Sequence, residues 1–278
     1  IINKIKNTKI YSGLYKFHQK RKANSEKYKV TNALLLFFFP LFIVALSEIN
    51  QMKSVNKFIL FSASKLNIML FNLIIASFIF WVLVFLFKRG FYAMAVMGIT
   101  YLALSTVELF KFNTSGNHLI LSDMRMAGGI KKLTSFAYIK ITPMLVICFS
   151  LLLIYICLAF WFNPSLKLRI FKRVMTAAVC ACSITFTLLA PSVAMPVYAF
   201  FDVDTTKADN VFKMNEKFDN NSFLAFFTET ATENFGKKVE KPENYSAEAI
   251  DTFLNEVPVN QDIKNAEWEK PNVIVIMS

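Results

Sequence analysis

LNIMLFNLIIASFIFWVLVFLF, residues 66–87, carries no charged side chain. A helix needs about 20 apolar residues to cross the hydrocarbon core of a bilayer, and this stretch supplies them without interruption. Four more charge-free windows accompany it, at 30–47, 90–107, 141–166 and 174–201. The window at 30–47 contains Pro40, which a helix in lipid tolerates because neighbouring groups satisfy the freed carbonyl. The window at 90–107 holds Gly90 and Gly98, small residues suited to close helix approach. FILFSAS at 58–64 is too short to cross and suits the interface. The pattern predicts an all-α polytopic membrane domain with five transmembrane helices. Asn67 and Asn72, inside an otherwise apolar run, are expected to bond to neighbouring helices.

The charge is divided along the chain. Residues 1–200 carry net charge +19 and residues 201–278 carry −7 within a total of +12. A basic balance can mark a nucleic-acid binder, but here the charge lies between apolar blocks, so a membrane is the expected partner and nucleic acid is not. Lys and Arg concentrate before the first window (Lys20, Arg21 and Lys22 among them), at Lys88-Arg89, and between the fourth and fifth windows at Lys167, Arg169, Lys172 and Arg173. That side should face the cytoplasm. Five crossings then place the acidic tail on the outer side of a cell membrane. No signal-peptide pattern is visible, and the natural amino terminus is expected upstream of Ile1. Cys148, Cys157, Cys180 and Cys182 all fall in apolar windows, so no structural disulfide is expected, and Cys180-x-Cys182 lacks the spacing of a zinc site.

Beyond residue 201 the sequence reads as a helical linker. NVFKMNEKF and NNSFLAFFTETATENF space their aromatics to form apolar helical faces, suited to the outer leaflet or to packing under a following domain. Ser246 is placed to cap SAEAIDTFLNEV, with Glu248 early in the helix and Pro258 after it. The last ten residues, EKPNVIVIMS, read as a strand buried on both faces, which needs partners to be stable. The expected divisions are a cytoplasmic basic segment (1–29), the five-helix membrane domain (30–201), an extracellular linker (202–270) and the start of a truncated α/β domain (271–278).

Phe223 and Phe227, KPENYS at 241–246 and KPNVIVIMS at 270–278 together resemble the junction region of the lipoteichoic acid synthase family. ELFKFNTSGNHLILSDMRM (108–126) resembles that family's outer loop between spans three and four. Lys111, Gly116, Leu119 and Asp123 fit the pattern, whereas Glu108 stands in place of asparagine and His118 in place of proline. The resemblance implies five membrane helices, a linker and an extracellular sulfatase-like α/β domain whose first strand is 273–277. It implies a phosphoglycerol transferase that takes its group from phosphatidylglycerol and passes it to a cell-envelope polymer or glycan acceptor. The implied divalent ion, manganese or magnesium, would polarise the phosphate and activate a nucleophile. The family's metal ligands and nucleophile lie in the catalytic domain, so these 278 residues alone are expected to be inactive, with no catalytic role for Ser278.

Charged residues near the outer ends of spans are the remaining candidates for a site. Glu48, Glu108, Lys111, His118, Asp123 and Arg125 lie beside apolar residues, where ionisable groups are costly and often functional. Interfacial snorkelling or helix-joining ion pairs are the simpler reading of the same charges. The functional expectation is that Lys111 and Arg125 contact an anionic lipid headgroup and that Glu108 and Asp123 orient them. Two other classes fit the architecture: a phosphoethanolamine transferase membrane domain and a non-catalytic polytopic membrane protein.

Overall fold

The computed structural model describes residues 9–121, 123, 141–165, 169–234, 246 and 250–253. The helices run in the order α1 (Lys9–Lys27), α2 (Lys29–Met52), α3 (Val55–Ser64), α4 (Leu66–Leu86), α5 (Gly90–Ser115), α6 (Pro143–Phe162), α7 (Ile170–Leu189), α8 (Pro191–Phe200) and α9 (Val211–Asn234). Helices α2, α4, α5, α6 and α7 are long and apolar enough to cross a membrane. Among the described residues there is no strand. The EKPNVIVIMS segment lies outside the described residues. Of the helix expected from Ser246, residues 250–253 are helical, and Ile250 N–H donates to Ser246 O at 3.1 Å. Residues 1–235 form one compact unit and 236–278 another.

Several boundaries differ from the charge-free windows, for physical reasons. The fifth window divides, because Pro191 lacks an N–H and holds Ala190 extended at φ −90°, ψ 105°. Helix α7 also begins earlier and takes in Arg173, whose guanidinium donates to Phe85 O at 3.0 Å and Leu86 O at 2.9 Å. Those are last-turn carbonyls of α4, where a cation complements the helix dipole. At the other end, α2 and α5 continue past their apolar windows and carry Glu48, Asn50, Glu108 and Lys111 within the helix.

The core is aromatic where α2, α4 and α6 meet. The Phe39 ring lies 4.9 Å from Phe80 and 5.4 Å from Tyr155, with Phe42 stacked on Tyr155 at 4.6 Å. Tyr155 donates its hydroxyl to Leu35 O at 2.8 Å, in the turn of α2 that precedes Pro40. Gly90 and Gly98 bring α5 close to its neighbours; a Cβ at Gly90 would lie 2.7 Å from Leu36 Cδ2. Outward faces of α2, α6 and α7 are apolar, with Phe37, Leu153, Val179 and Phe186 exposed, as suits lipid contact. Helix α3 buries none of its residues. All four cysteines are free.

The basic end of the bundle is closed by α1. Arg21 donates to Phe160 O at 2.7 Å and sets its guanidinium 3.5 Å from the Phe160 ring centre. Asn24 donates to Trp161 O at 3.1 Å. Both bonds satisfy carbonyls that the end of α6 would otherwise leave unpaired.

Candidate functional site

The opposite end of the bundle gathers the buried carboxylates. Glu108 and Lys111 stand three residues apart on α5, so they share a helix face. Gly116, at φ 71°, ends the helix in the left-handed region that favours glycine, and its N–H donates to Phe112 O at 2.8 Å. The chain then folds back and inserts His118 beside α5. The imidazole is stacked between Phe112 at 4.4 Å and Phe218 at 3.7 Å, with Phe226 at its edge. Its Nδ1 makes a short contact with Glu108 Oε1, and both side chains are buried.

Lys111 occupies the rim. Its ammonium donates to Asp123 Oδ2 at 2.6 Å and to His118 O at 2.7 Å. Ile120 N–H also donates to Asp123 Oδ2, at 2.8 Å, which fixes the carboxylate. An ammonium carries three donors, and the Lys111 side chain is 27% exposed, so this cation is both oriented and accessible. Asp123 therefore orients Lys111, whereas Glu108 pairs with His118. Arg125 lies outside the described residues.

The first part of the expected linker, 202–234, is built into this end. Ser222 interrupts α9 at φ 58°, ψ −177° and divides it into two arms. Asn221 holds the kink: its Nδ2 donates to Asp204 O at 2.8 Å and its Oδ1 accepts from Asp204 N–H at 2.7 Å. Lys217 on the first arm meets Glu229 on the second, Nζ to Oε2, at 2.6 Å, and Glu233 at 3.7 Å. The linker is also bound to α4: Asn72 donates to Ser222 Oγ at 2.7 Å, and Asn67 donates to Asp202 Oδ2 at 2.6 Å. Both asparagines thus bond outside their own helix, to the linker side of the fold. Phe223, Leu224, Ala225 and Phe226 are buried in the bundle.

Asp204 couples this arrangement to pH. Burial pushes its carboxyl up, but the Thr206 hydroxyl and N–H, the Asn220 amide and Lys217 outweigh that and hold it below its usual value. A carboxylate depressed in the folded state contributes stability that is complete above the usual value of 3.8 and lost as pH falls through the folded value. Asp204→Asn should therefore lower the melting temperature near neutrality, with the gap from the parent closing on acidification. A gap that widens with acid would overturn this.

Sequence reasoning singled out Lys111, Asp123 and Glu108 but assigned no role to Lys217, Glu229 or Ser222. Glu229 and Glu233, four residues apart, do share a helix face, yet their partner is reached only through the kink. Among the described residues, no three His, Cys, Asp or Glu side chains come together as a metal-binding group. No protein-family model, curated protein or solved structure matches this chain.

Proposed function

We propose that this chain is the membrane-anchoring part of a lipoteichoic acid synthase-like phosphoglycerol transferase. In this reading phosphatidylglycerol is the donor and a cell-envelope polymer or glycan the acceptor. Transfer takes place in a sulfatase-like α/β domain, and the membrane part presents the lipid. The sidedness read from charge puts the basic end in the cytoplasm and the Lys111 rim at the outer leaflet.

The observation that carries the proposal is the half-buried Lys111 ammonium, held by Asp123 and the His118 carbonyl. A fixed cation at a helix end, beside apolar lipid-facing surface, is suited to a headgroup phosphate. In this reading the manganese or magnesium ion belongs to the catalytic domain; among the described residues no three His, Cys, Asp or Glu side chains come together. The part of the described residues is to bind and orient the donor.

Lys111→Ala in the complete enzyme should reduce headgroup transfer from phosphatidylglycerol proteoliposomes by roughly tenfold, the loss expected for one charge-assisted contact. Expression and melting temperature should hold. Unchanged turnover together with unchanged lipid affinity would remove the proposal. Transfer from phosphatidylethanolamine in place of phosphatidylglycerol would move the assignment to the phosphoethanolamine transferases.

A further inference from the structure

Three carboxylates are almost fully buried among the described residues: Glu48, Glu108 and Glu229. Glu108 has His118 against it and Glu229 has Lys217. Glu48, 1% exposed near the end of α2, has no side-chain cation in contact among the described residues. A buried charge without a counter-charge is strongly unfavourable, so the surroundings of Glu48 must supply compensation of another kind.

Those surroundings are oxygen-rich. The Glu48 carboxyl lies within hydrogen-bonding reach of the Ser222 hydroxyl and the Phe223 backbone N–H. Asn72 Nδ2 donates to the same Ser222 hydroxyl at 2.7 Å. The Tyr101 ring of α5 meets the edge of Phe223 at 6.0 Å. Three helices, α2, α4 and α5, therefore converge on the kink of α9. At this place Glu48 Oε1, Asn72 Oδ1 and the Tyr101 hydroxyl are all buried and have no hydrogen-bond partner. Buried polar atoms are nearly always satisfied in folded proteins, and here three orphans belong to one cluster.

The chemistry of the orphans selects the ligand. A carboxylate oxygen and an amide oxygen can only accept, and a phenol oxygen can accept as well. Such a set is complementary to a hard cation that takes oxygen ligands. The ligand set favours a monovalent one: a single carboxylate, Glu48, stands with two neutral oxygens, while the neighbouring Glu108 is engaged by His118 Nδ1. A proton on Glu48 would remove that charge, but its one O–H could serve only one of the Asn72 and Tyr101 oxygens.

Ser222 stands at the junction of these groups. Its φ of 58° with ψ of −177° lies in a region that is essentially restricted to glycine. Such a conformation persists only when its surroundings over-determine it. The geometry points to a sodium-ion site formed by Glu48, Asn72 and Tyr101 around the Ser222 kink, with the bound ion fastening the α9 linker to the outer end of the bundle.

The test is thermal unfolding of the full chain in nanodiscs at neutral pH. Sodium chloride is titrated from about 1 to about 100 mM, with ionic strength held constant by N-methylglucamine chloride. Binding to the folded state should raise the melting temperature by about 5 °C or more over this range. Glu48→Gln, which keeps the shape and removes the charge, should abolish the sodium-dependent rise. If that variant does not fold, Tyr101→Phe should fold and show a rise shifted to higher sodium. Equal melting temperatures in sodium and N-methylglucamine would overturn the site. So would a stability that follows pH alone, which would assign Glu48 to a proton.

Discussion

Replacing Lys217 by methionine is expected to cost about 3–5 kcal/mol of unfolding free energy, the loss typical of breaking one side of a buried ion pair. Lys217 and Glu229 are each 1% exposed, so Glu229 cannot recover water when its partner is removed. Burial pushes the Glu229 carboxyl above the usual carboxylate range even with Lys217 opposing it. Without Lys217 the carboxyl must take up a proton to remain inside. A carboxyl whose folded value is raised favours folding less as pH rises through that value, so the defect should be largest at neutral and alkaline pH and shrink on acidification. The pair Lys217→Met with Glu229→Leu should recover much of the loss, since apolar side chains of similar volume commonly replace buried ion pairs without penalty. Chemical unfolding in detergent micelles across pH measures all three proteins. A single-variant loss below about 1 kcal/mol, the range of an exposed pair, would show that the Lys217–Glu229 contact is not a closed one.

Gly98→Leu should separate α5 from α6 at a cost of about 3 kcal/mol, the upper part of the usual range for overpacking. A Cβ at Gly98 would lie 2.6 Å from Leu152 Cδ1 and 3.3 Å from Phe39 Cζ. Leu152 Cδ1 is the far end of a flexible side chain, so Gly98→Ala can be absorbed by a rotamer change at a cost of about 1 kcal/mol. A leucine needs volume that Phe39, fully buried, and Leu152, at 2% exposure, already occupy. Thermal melts of the two variants in the same lipid should therefore diverge. Equal melting temperatures would show that the α5–α6 contact is loose at this point.

The spans are legible in the sequence because lipid imposes a compositional requirement that few side chains evade. Their ends are less so. A charge-free window stops before Glu48 and Glu108, whereas the helices continue, because Ser222 and Phe223 from far along the chain receive the first carboxyl and His118, just past the Gly116 turn, receives the second. Lys111 and Asp123 could be paired in advance, since only a short turn through Gly116 separates them. Lys217 and Glu229 could not. Their meeting depends on a left-handed serine, and nothing in a serine advertises that conformation as a glycine would. Asn221, which holds the kink through both of its amide atoms, looks in sequence like any other polar residue of a surface helix.

The kink at Ser222 also gives the bundle a mechanical character. Tension entering the chain at Asn234 loads Glu233, 3.7 Å from Lys217, and then Thr232, whose hydroxyl contacts Leu188 O and lies 2.6 Å from the Tyr198 hydroxyl. Once these yield, the load falls on the closer Lys217–Glu229 pair, and after it on the Asn72–Ser222 bond. These attachments come under strain one after another, as in a zip. A pull from the carboxy-terminal side would therefore be resisted in graded steps, with the long apolar helices protected until the last attachment opens.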